Sequence, residues 1–582
     1  MALFTPSASP AITVREIDLT GVVPNVQTST GVTVGDFSWG PIRNATLITN
    51  ESGLVQAFGS PTTTNNVDYF SAANYLKYSN SLYVVREATA AAVNASDSSG
   101  VALQVRDKNH FDTLTTGDSN QTYISRYAGT LGNSLKISTV SASDSDGVFT
   151  GWTYASSFDG APGTSTFATG VSATNDELHV VVIDEDGLIT GTADTVLETF
   201  PYVSAALNAK ADDGTSNYVK DVINTKSQYI YLAGYDSDLT SANFGVNASN
   251  GIDFKVGSGR SAAQILAANR KVKSLSGGAN SGTLTSGSFA TGFDTVEDVD
   301  NVTVDFLIAP GMSDRADQTT VVNDLVSIAS STRKDCVVVA SPARTDVVNI
   351  DAASAVSNTV ATANTFTNSS YLIVDNQYIK VYDKYNDQYV VVPAASSVAG
   401  LMAASDLSSA PWFSPAGQRR GNLLGVTALA YSPNKSQRDT LYKAGINPIG
   451  NIPGQGVLLF GDKTKLARPS AFDRINVRRL FLAVERAVSQ AARNVMFEFN
   501  DEFTRAEFVN VVEPFLREIK GRRGITDFRV LCNATNNTAA VIDRNEFVAS
   551  IFIKPARSIN YVTLNFVAVR TGVDFEEVAG TV

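Results

Sequence analysis

The sequence predicts a multidomain protein of mixed α/β and α+β class, on three observations. The 582 residues exceed what one hydrophobic core usually supports, which predicts about three or four domains. Helical and strand-like periodicities alternate in residues 26–90 and 300–470, as is typical of helices that cover a parallel sheet. Residues 91–215 instead hold short alternating runs between Gly and Asp turns, which predicts an inserted β-rich domain.

Composition argues against several classes of protein. The chain is 43% hydrophobic and 18% charged with a net charge of −12, which disfavours a surface that coats nucleic acid. The most apolar stretch, residues 389–405, is interrupted by Pro393 and is too rich in Ala and Ser for a membrane span. The N-terminus lacks the features of a secretory signal, so we predict folding in a reducing cytoplasm, with Cys336 and Cys532 as small buried thiols.

The first 25 residues contain a single strand-like alternation, Ile12–Ile17, which follows Pro10. An isolated strand can neither satisfy its backbone hydrogen bonds nor bury one face by itself. This arm must therefore pair either with its own body or with another chain.

Residues 26–90 and 300–470 are predicted to form one discontinuous α/β domain. A strand-helix-strand order in the second segment implies parallel pairing, because parallel strands need a crossover connection. The predicted elements are helix Asp68–Tyr78, strand Leu82–Arg86, strand Val304–Ile308, helix Thr319–Ser330 and strand Cys336–Ala340.

The inserted part of the chain comprises the β-rich residues 91–215 and a second segment, residues 216–299. The predicted elements are strand Leu178–Ile183, a helix followed by a strand within Tyr218–Gly234, helix Ser261–Lys273, and a loop rich in Gly, Ser and Thr over Ser274–Phe293.

Residues 471–569 predict an α+β domain with the order helix, helix, strand, strand, strand. Apolar residues from Val477 to Val495 recur at spacings of three and four, which predicts an amphipathic helix of about 20 residues. Thr504–Glu507 fits a capping box at the start of a second helix that runs to Ile519. The predicted strands are Asp527–Cys532, Phe547–Lys554 and Ile559–Val569.

We predict no catalytic residue, cofactor or metal. Gly456–Thr464 nearly matches a phosphate-binding loop, but Asp462 stands between the second Gly and Lys463, so a strand that ends in a turn is the better interpretation. His110 and His179 are the only histidines, which removes most zinc sites and Ser-His-Asp triads from consideration.

Positive charge gathers on the two predicted C-terminal helices. These cations form either a solvated face with intrahelical partners or a contact stripe for an acidic partner. The cluster that ends the second helix favours the contact. The candidate contact residues are Arg474, Arg478, Arg486, Arg493, Arg517, Lys520, Arg522 and Arg523.

Several segments together resemble the contractile tail sheath proteins of T-even-type bacteriophages, whose wider relatives include pyocin and type VI secretion sheaths. The resemblance is strong over residues 1–90 and 300–582 and loose over residues 91–295, as expected for the variable outer domains of such sheaths. It rests on residues 37–41, 68–70, 382–387, 414–417, 446–448, 461–464, 472–480, 535–538, 541–547 and 555–566.

The resemblance implies a structural protein that polymerises as six-membered rings, stacked helically around a tail tube, and contracts to drive the tube through a bacterial envelope. Its implied partners are copies of itself, the tube protein, and baseplate and tail terminator proteins, with no direct nucleic-acid contact and no membrane insertion. It places the chain in the virion after assembly in the host cytoplasm. The alternatives are a secretion-type or pyocin-like sheath and a nucleotide hydrolase that uses Lys463 and Thr464.

The resemblance also implies roles for the two ends of the chain. Residues 1–25 and 570–582 become arms that add strands to the C-terminal domains of neighbouring subunits. The Arg474–Arg493 helix and the Arg517–Arg523 loop lie inward, near the tube. The implied inter-subunit strand residues are Ile12, Val14, Glu16, Ile17, Val567, Val569, Val573 and Phe575.

Overall fold

A computed structural model describes residues 29–97, 103–114, 122–142, 146–234, 243–254 and 269–560. The described residues divide into two compact units. The larger unit contains residues up to Ala410 and residues 415–478, and the smaller unit contains residues 411–414 and the chain from Arg479 onward.

The strands are, in chain order, β1 (Gly31–Gly35), β2 (Thr46–Ile48), β3 (Leu82–Arg86), β4 (Tyr123–Ser125), β5 (Leu135–Ser141), β6 (Glu177–Asp184), β7 (Thr195–Ser204), β8 (Ile230–Leu232), β9 (Arg270–Ser274), β10 (Phe306–Ile308), β11 (Val337–Ala340), β12 (Leu372–Val374), β13 (Tyr378–Asp383), β14 (Gln388–Pro393), β15 (Ala428–Leu429), β16 (Ile449–Ile452), β17 (Gly456–Leu459), β18 (Ile525–Leu531) and β19 (Ser550–Pro555).

The α-helices are α1 (Glu51–Phe58), α2 (Asn66–Leu76), α3 (Lys108–Thr113), α4 (Asp146–Thr150), α5 (Thr166–Gly170), α6 (Val219–Lys226), α7 (Ser286–Asp294), α8 (Arg315–Ser327), α9 (Arg344–Val347), α10 (Ala352–Thr365), α11 (Ala395–Ser408), α12 (Lys435–Lys443), α13 (Ile475–Arg493), α14 (Glu502–Gly521) and α15 (Ala539–Ile542). Shorter helical turns span Thr130–Ser134, Ala155–Ser157, Ile328–Arg333 and Ala471–Asp473.

The larger unit is built on a six-stranded sheet with the order β12-β11-β10-β1-β3-β2. Its strands run parallel except for β2, which pairs antiparallel with β3. The central strands are near-continuous apolar runs because helices cover both faces, and all four residues of β11 are buried. The predicted strand-helix-strand order is confirmed by β10, α8 and β11.

The inserted region contains a four-stranded antiparallel sheet with the order β7-β6-β5-β9. Strand β6 confirms the prediction at Leu178–Ile183, and α6 with β8 confirms the helix and strand within Tyr218–Gly234. Both edges of this sheet discourage further pairing, since β9 carries Arg and Lys side chains and β7 contains Pro201.

Two predictions in the second inserted segment were wrong. The end of the predicted helix Ser261–Lys273 is strand β9, because its pairing with β5 overrides the helical period; residues 255–268 lie outside the described ranges. The predicted loop Ser274–Phe293 contains helix α7, whose capping box joins Thr285 and Ser288. Its two phenylalanines enter the core of the larger unit, which the Gly and Ser content of the segment concealed.

Arg86 fastens the end of β3 to the inserted region. Its side chain is fully buried, and it donates from Nη1 to the Gly40 carbonyl (2.8 Å) and from Nη2 to the Ala128 carbonyl (2.7 Å). Burial lowers the pKa of this guanidinium to about 10, so it stays charged at neutral pH. The next residue, Glu87, accepts two hydrogen bonds from Arg43 at 2.8 and 2.9 Å.

In the smaller unit, α14 and α13 from Arg479 onward share a core with β18 and β19. Leu480 and Val484 of α13 lie in one apolar cluster with Val512 and Leu516 of α14. The amphipathic pattern therefore predicted both helices correctly.

The predicted capping box at Thr504 was wrong. The N-cap of α14 is Asp501, whose carboxylate accepts a hydrogen bond from the Thr504 backbone N–H (2.9 Å). The helix thus begins three residues earlier, because Asp is as good an N-cap as Thr and Glu502 can occupy the first turn. Helix α15 between β18 and β19 was not predicted, and of the strand predicted over Ile559–Val569 residues 561 onward lie outside the described ranges.

Among the described helices, none is both long and apolar enough to cross a bilayer. Cys336 and Cys532 are free and buried, as predicted.

Candidate assembly interface

The segment that resembles a phosphate-binding loop is committed to internal contacts. Strand β17 confirms the predicted strand, whereas the assigned turn, residues 453–455, comes before the strand and not after it. Lys463 donates from Nζ to the Tyr442 carbonyl (2.7 Å), and Thr464 donates from its hydroxyl to the Phe472 carbonyl (2.8 Å). A bound phosphate would have to break both hydrogen bonds, so this site does not favour the nucleotide-hydrolase alternative.

His179 is a core residue, as its place in a strand predicted. Its ring stacks on Phe158 at 4.3 Å, and its Nδ1 accepts from the Tyr202 backbone N–H (3.0 Å). The other nitrogen, Nε2, lies 2.9 Å from the Gly160 carbonyl and donates to it. Burial lowers the pKa of the imidazole. Across the described part of the chain, no three His, Cys, Asp or Glu side chains are grouped as a metal ion would need.

Strands β18 and β19 form a two-stranded antiparallel sheet. Within the described ranges each pairs only with the other, so the opposite edge of each strand has no strand beside it. The face that carries Phe528, Val530, Ile551 and Ile553 packs against the helices of the smaller unit. Two-stranded sheets are marginal unless they are packed or extended. Helices thus support this sheet on one face, and no strand of the described ranges occupies either of its outer edges.

The residues predicted to supply those strands fall in residues 1–28 and 561–582, outside the described ranges. They are Ile12, Val14, Glu16, Ile17, Val567, Val569, Val573 and Phe575.

Two of the candidate contact cations anchor the start of α13 in the larger unit. Arg474 pairs with Asp462 at 2.9 Å. Arg478 is buried, with its guanidinium 4.1 Å from the centre of the Tyr371 ring and 4.5 Å from that of Phe472. These cation–π contacts and the buried pair give both residues a structural task.

The other candidates are more accessible, with Arg486 half-buried and Arg493 exposed on α13. At the end of α14, Arg517 lies 3.8 Å from Glu513, Lys520 lies 3.2 Å from Asp527, and Arg522 lies 3.5 Å from Glu518. Exposed pairs of this kind contribute roughly 0–1 kcal/mol, so these cations can exchange partners at little cost. Arg523 is also exposed.

Comparison with known proteins identifies the fold. A model described as the phage tail sheath protein central domain matches residues 289–465, and one described as the phage tail sheath C-terminal domain matches residues 467–568. The tail sheath protein of Vibrio phage KVP40 is 32% identical over 98% of this chain and 99% of its own length. The chain belongs to the phage tail sheath protein family. The tail sheath protein of Enterobacteria phage T4 agrees, at 33% identity over 98% of this chain and 99% of its own.

A solved sheath tail protein from Listeria innocua has the same fold as this sheath chain. The TM-score is 0.53 at 11% identity, over 91% of this chain and 96% of the other. The predicted fold class and the resemblance to tail sheath proteins are thus confirmed, and the protein is a structural subunit of a contractile phage tail sheath.

Sequence reasoning missed one surface of the sheath chain. Between α13 and the first turn of α14, the side chains of Met496, Phe497, Phe499 and Phe503 are 59%, 101%, 84% and 76% exposed. The available signal was the Phe-Glu-Phe alternation just after a helix, because large apolar residues between polar neighbours are seldom placed in a turn without a partner.

A buried, hydrogen-bonded carboxyl group follows β12 in the larger unit of the sheath chain. Asp375 is fully buried and accepts hydrogen bonds from the Ser341 hydroxyl and from the Gln377 backbone N–H, both at 2.8 Å. Burial raises the pKa of the Asp375 carboxyl to about 7, although both hydrogen bonds act to lower it.

Replacing Asp375 should change how the stability of the sheath chain depends on pH. A carboxyl with a folded pKa near 7 and an unfolded pKa of about 4 favours the folded state below pH 4, and this contribution is lost as the pH rises toward 7. The melting temperature of the wild type should therefore fall more steeply between about pH 4 and pH 7 than that of Asp375→Asn. The exposed-residue control Asp439→Asn should keep the wild-type slope; equal slopes for all three proteins would contradict the assignment.

Proposed function

We propose that this sheath chain polymerises by exchanging strands between copies, as hexameric rings stacked helically around a tail tube. The observation that carries the proposal is the β18–β19 sheet, which is packed on one face and has both edges open to a strand within the described residues. The arms of neighbouring subunits, residues 1–25 and 570–582, supply the missing strands.

The energetics suit a lattice that must both hold together and move. Strand β19 has six residues. In an antiparallel pair every second residue exchanges two hydrogen bonds with its partner, so each edge gains about six hydrogen bonds. At roughly 0.5–1.5 kcal/mol net for each bond, one added strand contributes about 3–9 kcal/mol. Several such added strands keep neighbouring subunits connected while the folded parts of the subunits rotate about these connections.

The proposed work is mechanical. Subunits assemble in an extended lattice and convert to a shorter, wider one that buries more interface, and the free energy released drives the tube through the host envelope. The proposed partners are copies of the chain, the tube protein, and baseplate and tail terminator proteins. Assembly takes place in the host cytoplasm and yields a virion component.

The proposed tube contact is the basic surface made by Arg486, Arg493 and the four cations at the end of α14. Its support is the weak pairing of Arg517, Lys520 and Arg522 and the exposure of Arg523.

Replacing Arg517, Lys520, Arg522 and Arg523 together with Glu should reduce assembly on the tube, because an acidic partner would then meet like charge. The measurement is the yield and length of sheath formed on purified tube. The double variant Arg517→Glu with Arg523→Glu keeps the Arg522 contact with Trp412 and should show a smaller loss. The control variant Lys210→Glu with Lys226→Glu, on the inserted region, should assemble normally; sheath of wild-type length and yield from the quadruple variant would count against the tube contact.

A further inference from the structure

The exposed aromatic surface from the end of α13 to the first turn of α14 contributes nothing to the apolar core formed by the described residues of its unit. We call residues 496–503 the acidic tip. The four apolar side chains it exposes lie within eight residues, whereas the exposed apolar residues of a monomer are usually scattered. The tip also carries Glu498, Asp501 and Glu502 and contains no Lys or Arg. It is therefore both apolar and negatively charged.

The backbone of the acidic tip is held in place. Asn500 donates from Nδ2 to the Glu546 carbonyl (2.7 Å), and Arg505 donates from Nη2 to the Asn500 carbonyl (2.9 Å). Asp501 caps the helix that follows. Four large apolar side chains on a fixed backbone form a preorganised docking surface, since little conformational freedom remains to be lost on binding.

A surface of opposite charge lies in the larger unit. We call Arg419, Arg420, Leu424 and Phe460 the arginine patch. Leu424 is 47% and Phe460 50% exposed, and residues 411–430 contain no Asp or Glu. Burial and the neighbouring charge of Arg419 lower the pKa of Arg420. Two adjacent cations in an acid-free segment are the complement of an acidic, aromatic surface.

The arginine patch is fixed as a unit. Gly421 accepts from the Leu459 backbone N–H (2.8 Å), and Gly417 donates its own N–H to the Leu459 carbonyl (2.9 Å). These bonds hold the loop with both arginines against β17, whose next residue along the chain is Phe460. The cations and the exposed ring are thus presented together.

We propose that the acidic tip of one copy docks on the arginine patch of a second copy. Because the two surfaces are different, the contact is head-to-tail and repeats from copy to copy, which generates rings or helices instead of closed pairs. This inference rests on the proposed self-assembly and gives it a side-chain interface in addition to the exchanged strands.

Charge reversal tests the contact in the full-length chain without tube. Either Arg419→Glu with Arg420→Glu or Glu498→Arg with Glu502→Arg should raise the critical concentration for polymerisation at least about tenfold, since close charge pairs across an interface are worth more than 1.4 kcal/mol. Combining all four substitutions should restore assembly. The control variant Lys210→Glu with Lys226→Glu makes the same change in net charge as the arginine-patch pair and should polymerise like the wild type.

Cross-linking tests the identity of the two surfaces. The natural cysteines are buried, so a Phe497→Cys chain mixed with a Phe460→Cys chain should form disulfide-linked dimers on mild oxidation, and neither variant should do so alone. Polymers that give no cross-link, or arginine-patch variants that assemble like the wild type, would overturn the docking proposal. A wild-type chain that does not polymerise would instead refute the proposed function.

Discussion

Deleting residues 1–25 should abolish polymerisation and leave the two compact units folded. The β18–β19 sheet, whose two outer edges are unpaired within the described residues, then loses one of the two strands that neighbours supply, and about 3–9 kcal/mol is lost at every such connection. Because each subunit repeats the joint, the loss acts along the whole lattice. Circular dichroism should match that of the full-length chain, while sedimentation should show no large species.

A single proline tests the same joint with less disruption. Val14→Pro removes a backbone N–H in the middle of the predicted strand Ile12–Ile17, which should raise the critical concentration at least about tenfold. The matched control is Ser7→Pro, which lies outside that strand and should assemble normally. If the deletion and Val14→Pro both polymerise at wild-type concentration, the arm is not the missing strand.

Replacing Asn447 with Ala should destabilise the larger unit by about 3–4 kcal/mol. Asn447 is fully buried and donates from Nδ2 to the Val374 carbonyl (3.1 Å) and the Lys463 carbonyl (2.8 Å). Its Oδ1 accepts from the Lys463 backbone N–H (2.7 Å). The Val374 carbonyl keeps its hydrogen bond from the Asn447 backbone N–H (2.8 Å). The truncation therefore leaves two partly buried backbone groups of Lys463 without this partner, and each costs about 1–3 kcal/mol when no substitute is found.

Urea denaturation measures this effect as a change in the free energy of unfolding of the larger unit. The control Asn451→Ala, at an exposed position on β16, should shift the unfolding free energy by no more than about 0.5 kcal/mol. If the two alanine variants have the same free energy of unfolding, water replaces the Asn447 amide and its hydrogen bonds do not stabilise the larger unit.

Helices and strands were predicted best from the sequence where a hydrophobic period continued for several helical turns or where an apolar run was unbroken. The heptad-like spacing from Val477 onward located α13, and the runs Phe306–Ile308 and Val337–Ala340 located adjacent parallel strands. Such patterns arise directly from burial on one face or on both. Tertiary context decided the rest: Arg270–Ser274 became a strand only because β5 lies beside it.

The candidate interface was predicted in part. An orphan strand at Ile12–Ile17 and a surplus of Arg near the C-terminus can be read from the chain, because they follow from backbone satisfaction and local charge. The structural task of Arg478 could not be predicted, since it depends on Tyr371, more than a hundred residues away. The acidic tip was missed for a similar reason: exposure of Phe497 and Phe499 is a property of the folded unit.

Negative-stain electron microscopy of the purified full-length chain at high concentration tests the central claim most directly. Completion of the β18–β19 sheet by other copies predicts long hollow tubes with six-fold symmetry in cross-section. A compact monomer at every concentration, with a sedimentation coefficient that does not change, would contradict it.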